Sequence, residues 1–126
     1  MQNYKDLKVW EKSHHFTVAV YDCTRSFPKE ELYGLTNQLR RASSSIPANI
    51  AEGCGKNSKA EFAHYLNIAL GSANEAEYFL ILSKDLHYLS TEIFSDFIDK
   101  INQIKAMLIS LINKVRGSLE HVKLTT

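Results

Sequence analysis

Two Glu-x-x-His segments, Glu11-Lys12-Ser13-His14 and Glu61-Phe62-Ala63-His64, are the residues here whose spacing could do chemistry. On two helices of a four-helix bundle, that spacing supplies half of a di-iron carboxylate site. The other half needs a carboxylate from each remaining helix at the same level. Glu52 could supply one, but the matching stretch offers Lys114 and Arg116, and Glu120 falls beyond Gly117. Glu61 is also spaced to serve a helix cap. No metal site is therefore expected. Gly53-Cys54-Gly55-Lys56-Asn57-Ser58 superficially resembles a phosphate-binding loop, but the first required glycine would fall at Ile50. It lacks the Ser or Thr after the lysine and does not follow a strand, so it reads as a glycine-rich turn. Cys23 and Cys54 form no Cys-x-x-Cys pair, and no activating base neighbours either in sequence. Cys23 reads as a core residue, while Cys54 could be exposed in the turn. With no Ser-His-Asp set and no paired carboxylates, the expectation is a non-enzymatic protein with no catalytic residues, no cofactor and no small-molecule substrate.

The elements that would position these residues read as four helices in one domain spanning residues 1–126. In helix 1, about 8–27, Val9, Phe16, Val20, Cys23 and Phe27 form an apolar stripe, with Trp10, Thr17, Tyr21 and Thr24 beside it. Pro28 should end it. Helix 2, about 29–52, carries Leu32, Leu35, Leu39, Ala42, Ile46 and Ile50, with Gly53 as its expected stop. Pro47 inside it removes the hydrogen bond to the Ser43 carbonyl and should bend the helix. Helix 3, about 58–89, starts at a Ser58/Glu61 capping box and has two apolar faces. Gly71 in it is a candidate bend or close approach. Helix 4, about 91–116, repeats Ile93, Phe97, Ile101, Ile104, Leu108, Leu111 and Val115. Gly117 should stop it, leaving a loose tail over 118–126. Short connections favour antiparallel neighbours, hence an all-α, up-down-up-down four-helix bundle.

The chain has 126 residues, 44% hydrophobic and 23% charged, with a formal net charge of +1. A chain of that length suits one core. No apolar run reaches membrane-spanning length, no secretory leader is visible, and two unpaired cysteines fit the reducing cytoplasm. Stacking the helices antiparallel sorts the charges. Lys5, Lys8, Lys12, Lys56, Lys59, Lys114, Arg116 and Lys123 outnumber the acids at one end; Asp22, Glu30, Glu31, Asp85, Glu92, Asp96 and Asp99 outnumber the bases at the other. A basic end is the footprint of a phosphate-binding surface. Lys8, Lys12, Lys56, Lys59, Lys114 and Arg116 are thus the candidate contacts with RNA or DNA. No aromatic stacking platform or recognition motif is visible in the sequence, so sequence-specific reading is not expected.

The run Gln38–Gly53 carries more polar and helix-poor residues than a plain core helix needs. Arg40 and Arg41 fall midway along helix 2, level with Glu75 on helix 3, so a mid-bundle network is one reading. With Ser44, Asn49 and Glu52 these residues are candidates for a buried polar network or a subunit interface. Arg41, Asn37, Ser44, Ala48 and Ala51 form a small-residue stripe opposite the core, which permits close approach of another helix.

Arg40-Arg41-Ala42, Ser45-Ile46-Pro47-Ala48-Asn49-Ile50-Ala51-Glu52-Gly53 and Gly71-Ser72 with Glu75 also resemble a bacterial four-helix-bundle family, the 23S rRNA intervening-sequence proteins. Leu7-Lys8-Val9-Trp10, Phe27-Pro28, Glu31-Leu32-Tyr33-Gly34-Leu35 and Ser58 with Glu61-Phe62 extend the likeness over nearly the whole chain. The resemblance implies bundles that assemble into five-membered rings, hence a homopentamer. A protein of similar fold, the accessory variability determinant of diversity-generating retroelements, forms a basic ring that works with a reverse transcriptase and nucleic acid. The resemblance therefore implies a nucleic-acid-associated accessory or scaffold protein. The alternative is a purely structural protein–protein interaction module.

Overall fold

The structure is a computed structural model that describes residues 2–125, with side chains to residue 117. A short 3-10 turn, Tyr4–Asp6, leads into α1, Lys8–Thr24. A second 3-10 turn, Lys29–Glu31, precedes α2, Leu35–Cys54. α3 covers Lys59–Asp85 and α4 covers Thr91–Thr125.

Contacts between helices run in opposite senses for every neighbouring pair, as an up-down-up-down bundle requires. Thr17 meets Ser43 while Thr24 meets Arg40. Ser72 meets Ser45, and Tyr65 lies beside Gly53. Glu77 pairs with Lys105, and Lys84 lies over the Phe94 ring. Phe16 of α1 packs edge-on against Phe97 of α4, with ring centroids 5.7 Å apart. The core between them contains Phe16, Leu39, Ile46, Ile50, Leu66, Leu80, Ile101 and Leu108, all essentially inaccessible to solvent.

Among the described residues, only small hydroxyl residues join this apolar core as buried polar groups: Ser13, Thr24, Thr36, Ser43 and Ser83. A serine or threonine in a helix can donate to the carbonyl one turn back, so it needs no partner across the bundle. Ser43 Oγ donates to the Leu39 carbonyl at 2.7 Å, Ser83 Oγ to Phe79 at 2.7 Å and Thr24 Oγ1 to Val20 at 2.8 Å. Thr36 Oγ1 alone among the buried described side-chain atoms has no partner. Thr36→Val, which keeps the shape and removes the orphan hydroxyl, should therefore raise stability by about 1 kcal/mol. Urea unfolding followed by circular dichroism measures this.

Several helix ends differ from the sequence reading. α1 stops at Thr24, three residues short of Phe27, although Phe27 is still buried. α2 starts at Leu35 rather than near Lys29. Tyr33 is 91% exposed and Leu32, expected in the core, is 47% exposed. The start is capped from outside, because Glu31 Oε1 accepts the Leu35 N–H at 3.2 Å, folding over Gly34 where a Cβ would lie 2.9 Å from it. The other Glu31 oxygen accepts the Tyr88 hydroxyl at 3.0 Å, which holds the Tyr88 phenol protonated above its ordinary range.

Neither Gly53 nor Gly117 stops a helix. No described glycine has positive φ, so none supplies the left-handed turn that ends a helix in this way. α2 passes through Gly53 to Cys54, and α4 passes through Gly117 to Thr125. Most of the stretch expected as a loose tail is thus helical backbone; Thr126 and the side chains of 118–125, including Glu120 and Lys123, lie outside what is described. Ile93, expected in the α4 seam, is 45% exposed, while Ile112 is buried. Gly71 is exposed and has nothing within 4 Å of where its Cβ would be, so it marks no close approach.

α3 ends at Asp85, before the expected Leu89. The residue that turns the chain is His87, with φ 66°. The Tyr88 N–H donates to the Ser83 carbonyl and the His87 N–H to the Lys84 carbonyl, each at 2.9 Å, the paired bonds of a Schellman closure. Glycine is the favoured residue there. Because His87 is exposed, His87→Gly should stabilise by about 1 kcal/mol through relief of the left-handed strain, read as a higher midpoint in thermal unfolding.

Candidate nucleic-acid interface

The α2–α3 connection builds the basic end. α2 finishes at Cys54, and Ser58 starts α3 by accepting the Glu61 N–H at 3.1 Å; its own hydroxyl lies 3.4 Å from Glu61 Oε1. Between them Lys56 is held twice, 3.8 Å from Glu52 and over the Tyr65 ring at 5.3 Å. Opposite, α4 brings Lys114 to the same place. Lys56, Lys59 and Lys114 line one open groove of about 900 Å³ together with Gly53, Cys54, Phe62 and Leu111 and with Gln2 and Leu7. The dipole of α3, whose positive end lies at its start, adds positive potential to that end.

The other three candidate contacts lie elsewhere. Lys8 lines a neighbouring groove with Leu111 and also with Lys114. Lys12 lies in a cleft with Asp96 and Asp99. Arg116 is exposed and lines neither groove. The cleft around Lys12 corrects the charge map. Asp96 and Asp99 were placed at the acidic end from their position near the start of α4, but the axial register of α4 against α1 sets them in the same cleft as Lys12. The ends are less segregated than the helix order suggests.

The mid-bundle reading needs a similar correction. Arg40 turns to α1, not to Glu75: its Nε donates to Thr24 Oγ1 at 2.8 Å and its guanidinium sits 4.8 Å from the centre of the Tyr21 ring. Arg41 and Glu75 are exposed. Ser44 Oγ donates to the Arg41 carbonyl at 3.3 Å, within its own helix. Glu52 pairs with Lys56. Besides Arg40, Asn49 joins a network between helices, donating to Ser45 Oγ at 2.9 Å, which in turn accepts Ser72 Oγ of α3 at 2.9 Å.

Neither Glu-x-x-His segment assembles a site. Among the described residues no three His, Cys, Asp or Glu side chains converge as metal ligands would. The His14 ring lies parallel to Trp10, and the His64 ring stands edge-on to Tyr65. Cys54, which the turn composition left open to exposure, is buried at 5% accessibility, whereas Cys23, read as a core residue, is only half-buried. Burial pushes both thiols above their ordinary range, which disfavours the thiolate a nucleophile needs.

The sequence reading also missed an aromatic feature. Tyr4 stands edge-on to Trp10 with centroids 5.1 Å apart, Trp10 lies within 2° of parallel to His14 at 5.2 Å, and His15 follows at 5.7 Å. The four-residue spacing of Trp10 and His14 was the available signal, since such a pair shares a helix face. Tyr4 joins them only because the 3-10 turn folds back.

Compared with known proteins, residues 5–110 match the family described as 23S rRNA-intervening sequence protein. A crystal structure of a protein of unknown function from the S23 ribosomal protein family, from Bacteroides thetaiotaomicron, is 34% identical to this chain. The match covers 83% of this chain and 95% of that one, with a TM-score of 0.78. No curated protein matches.

Proposed function

Since this chain belongs to the 23S rRNA-intervening sequence protein family, we propose that it is a non-enzymatic cytoplasmic scaffold that assembles with copies of itself and contacts RNA or DNA. The observation that carries the nucleic-acid reading is the convergence of Lys56, Lys59 and Lys114 on one groove beside the start of α3. Lysines gathered from two helices and a turn can neutralise adjacent phosphates. The near-neutral remainder of the chain adds little non-specific attraction. For the assembly, the five-membered ring implied by the family likeness is the expected state.

Affinity should depend steeply on salt, because each neutralised phosphate releases counterions. If each chain engages three phosphates of a duplex, affinity should fall about 40-fold between 50 and 200 mM salt. Fluorescence anisotropy with labelled RNA and DNA across that series tests this, alongside a variant with Lys56, Lys59 and Lys114 changed to Gln. Binding insensitive to salt or to the triple change would refute the groove as the contact. Light scattering addresses assembly: a monomer at micromolar concentration would remove the ring.

Ile68, Tyr78 and Ile81 favour a second reading. All three are exposed on α3, at 39%, 56% and 42% accessibility. Apolar surface of this kind suits a protein–protein module with no nucleic-acid role. That reading predicts no binding to RNA or DNA at any salt concentration in the same assay.

A further inference from the structure

We propose that the ring series Tyr4–Trp10–His14 is a base-stacking surface for an unpaired strand of RNA or DNA. The inference rests on the nucleic-acid reading above and specifies the form of nucleic acid.

Trp10 is half-buried and packed against the core, so the series has a fixed base. His14 continues it outward, one face parallel to Trp10 and the side chain exposed. A nucleobase laid on His14 extends a stack that is already formed. Every base has a π face, so such a surface tolerates any sequence. In a duplex those faces are covered by neighbouring bases.

The location supports this. Gln2 and Leu7 line the lysine groove, and Tyr4, between them in the chain, stands against Trp10. A strand whose phosphates occupy the groove is thereby led onto the rings. Charge is divided accordingly: Asp6 and Glu11 leave Lys5, Lys8 and Lys12 only one charge in excess along the ring-bearing segment, and Lys12 shares its cleft with Asp96 and Asp99, whereas Lys56, Lys59 and Lys114 gather in the groove. The segment offers stacking and the groove offers charge.

Trp10 is the single tryptophan of the chain and reports directly on the site. The full chain is titrated with a thymidine 12-mer, with an abasic strand of the same length and charge, and with a duplex. The expected result is quenching of Trp10 emission and about tenfold tighter binding of the thymidine strand than of the abasic one. His14→Ala should abolish most of that preference and leave abasic binding unchanged; His14→Phe, which restores a ring, should keep it. Equal affinity for thymidine and abasic strands overturns the stacking surface while leaving the groove standing, as does tighter binding of the duplex. An unchanged preference in His14→Ala also overturns it. Failure to bind any of the three removes the stacking surface and the groove together.

Discussion

Gly53→Leu should destabilise the protein by about 3 kcal/mol, the upper end of the usual cost of overpacking, and Gly53→Ala by about 1–2 kcal/mol. Gly53 is buried within α2, facing the first turns of α3. A Cβ there would lie 2.9 Å from the Tyr65 Cβ, 3.1 Å from Phe62 Cδ1 and 3.4 Å from the Phe62 carbonyl. The nearest of these is a Cβ fixed to the α3 backbone, so a rotamer change cannot clear it and the helices must separate. Alanine regains about 1 kcal/mol in helix propensity over glycine, which lowers its net cost; leucine adds three more carbons to the same contact. Chemical denaturation with an unchanged m-value would read the difference. A fully stable Gly53→Leu would show that the α2–α3 approach is looser than this spacing. Since Gly53 also lines the lysine groove, Gly53→Ala should weaken nucleic-acid binding if the groove is the contact.

Thr17→Val should cost about 2–3 kcal/mol, and the cost should largely vanish in a Pro47→Ala background. Pro47 has no N–H, so the Ser43 carbonyl loses its partner within α2. Thr17 Oγ1 of α1 replaces it at 3.0 Å while lying 2.8 Å from the Ser13 carbonyl of its own helix. Valine keeps the shape and removes the donor, leaving the Ser43 carbonyl unsatisfied where Ser43 is fully buried. Alanine at position 47 restores the N–H and with it the ordinary intrahelical bond. A double-mutant cycle of the two substitutions isolates the coupling, which should reach about 1–3 kcal/mol. Additive effects would show that Thr17 does not serve the carbonyl freed by proline.

These two positions indicate how much was legible beforehand. The freed Ser43 carbonyl follows from Pro47 alone, because the missing donor is a local property. That Thr17 would satisfy it was not legible, since the pairing depends on the register of α1 against α2. Gly53 was read as a helix stop because glycine is often found there. Its φ is not positive, and the crowding by Tyr65 and Phe62 is what requires glycine. The lysines of the groove were named from charge and helix order. Helix order placed Lys56, Lys59 and Lys114 at one end correctly, but it could not separate them from Lys12, whose cleft contains Asp96 and Asp99. The burial of Cys54 was missed for a related reason: a turn composition left exposure open, but α2 extends to it and turns it into the core.

The sequence by itself determined four helices, their antiparallel order, most of the core and the family. Those depend on apolar periodicity, on short connections and on a run of residue types, all written along one strand of chain. Only the tertiary structure decided which side chains meet: Arg40 with Thr24 rather than Glu75, Thr17 with Ser43, three lysines around one groove, and Tyr4 against Trp10. The physical reason is that a helical pattern specifies which face of a helix is buried but leaves its axial register against each neighbour open. One residue is about 1.5 Å of rise along a helix. An axial slide of about that size, without rotation, is enough to exchange polar partners while leaving the apolar stripe buried.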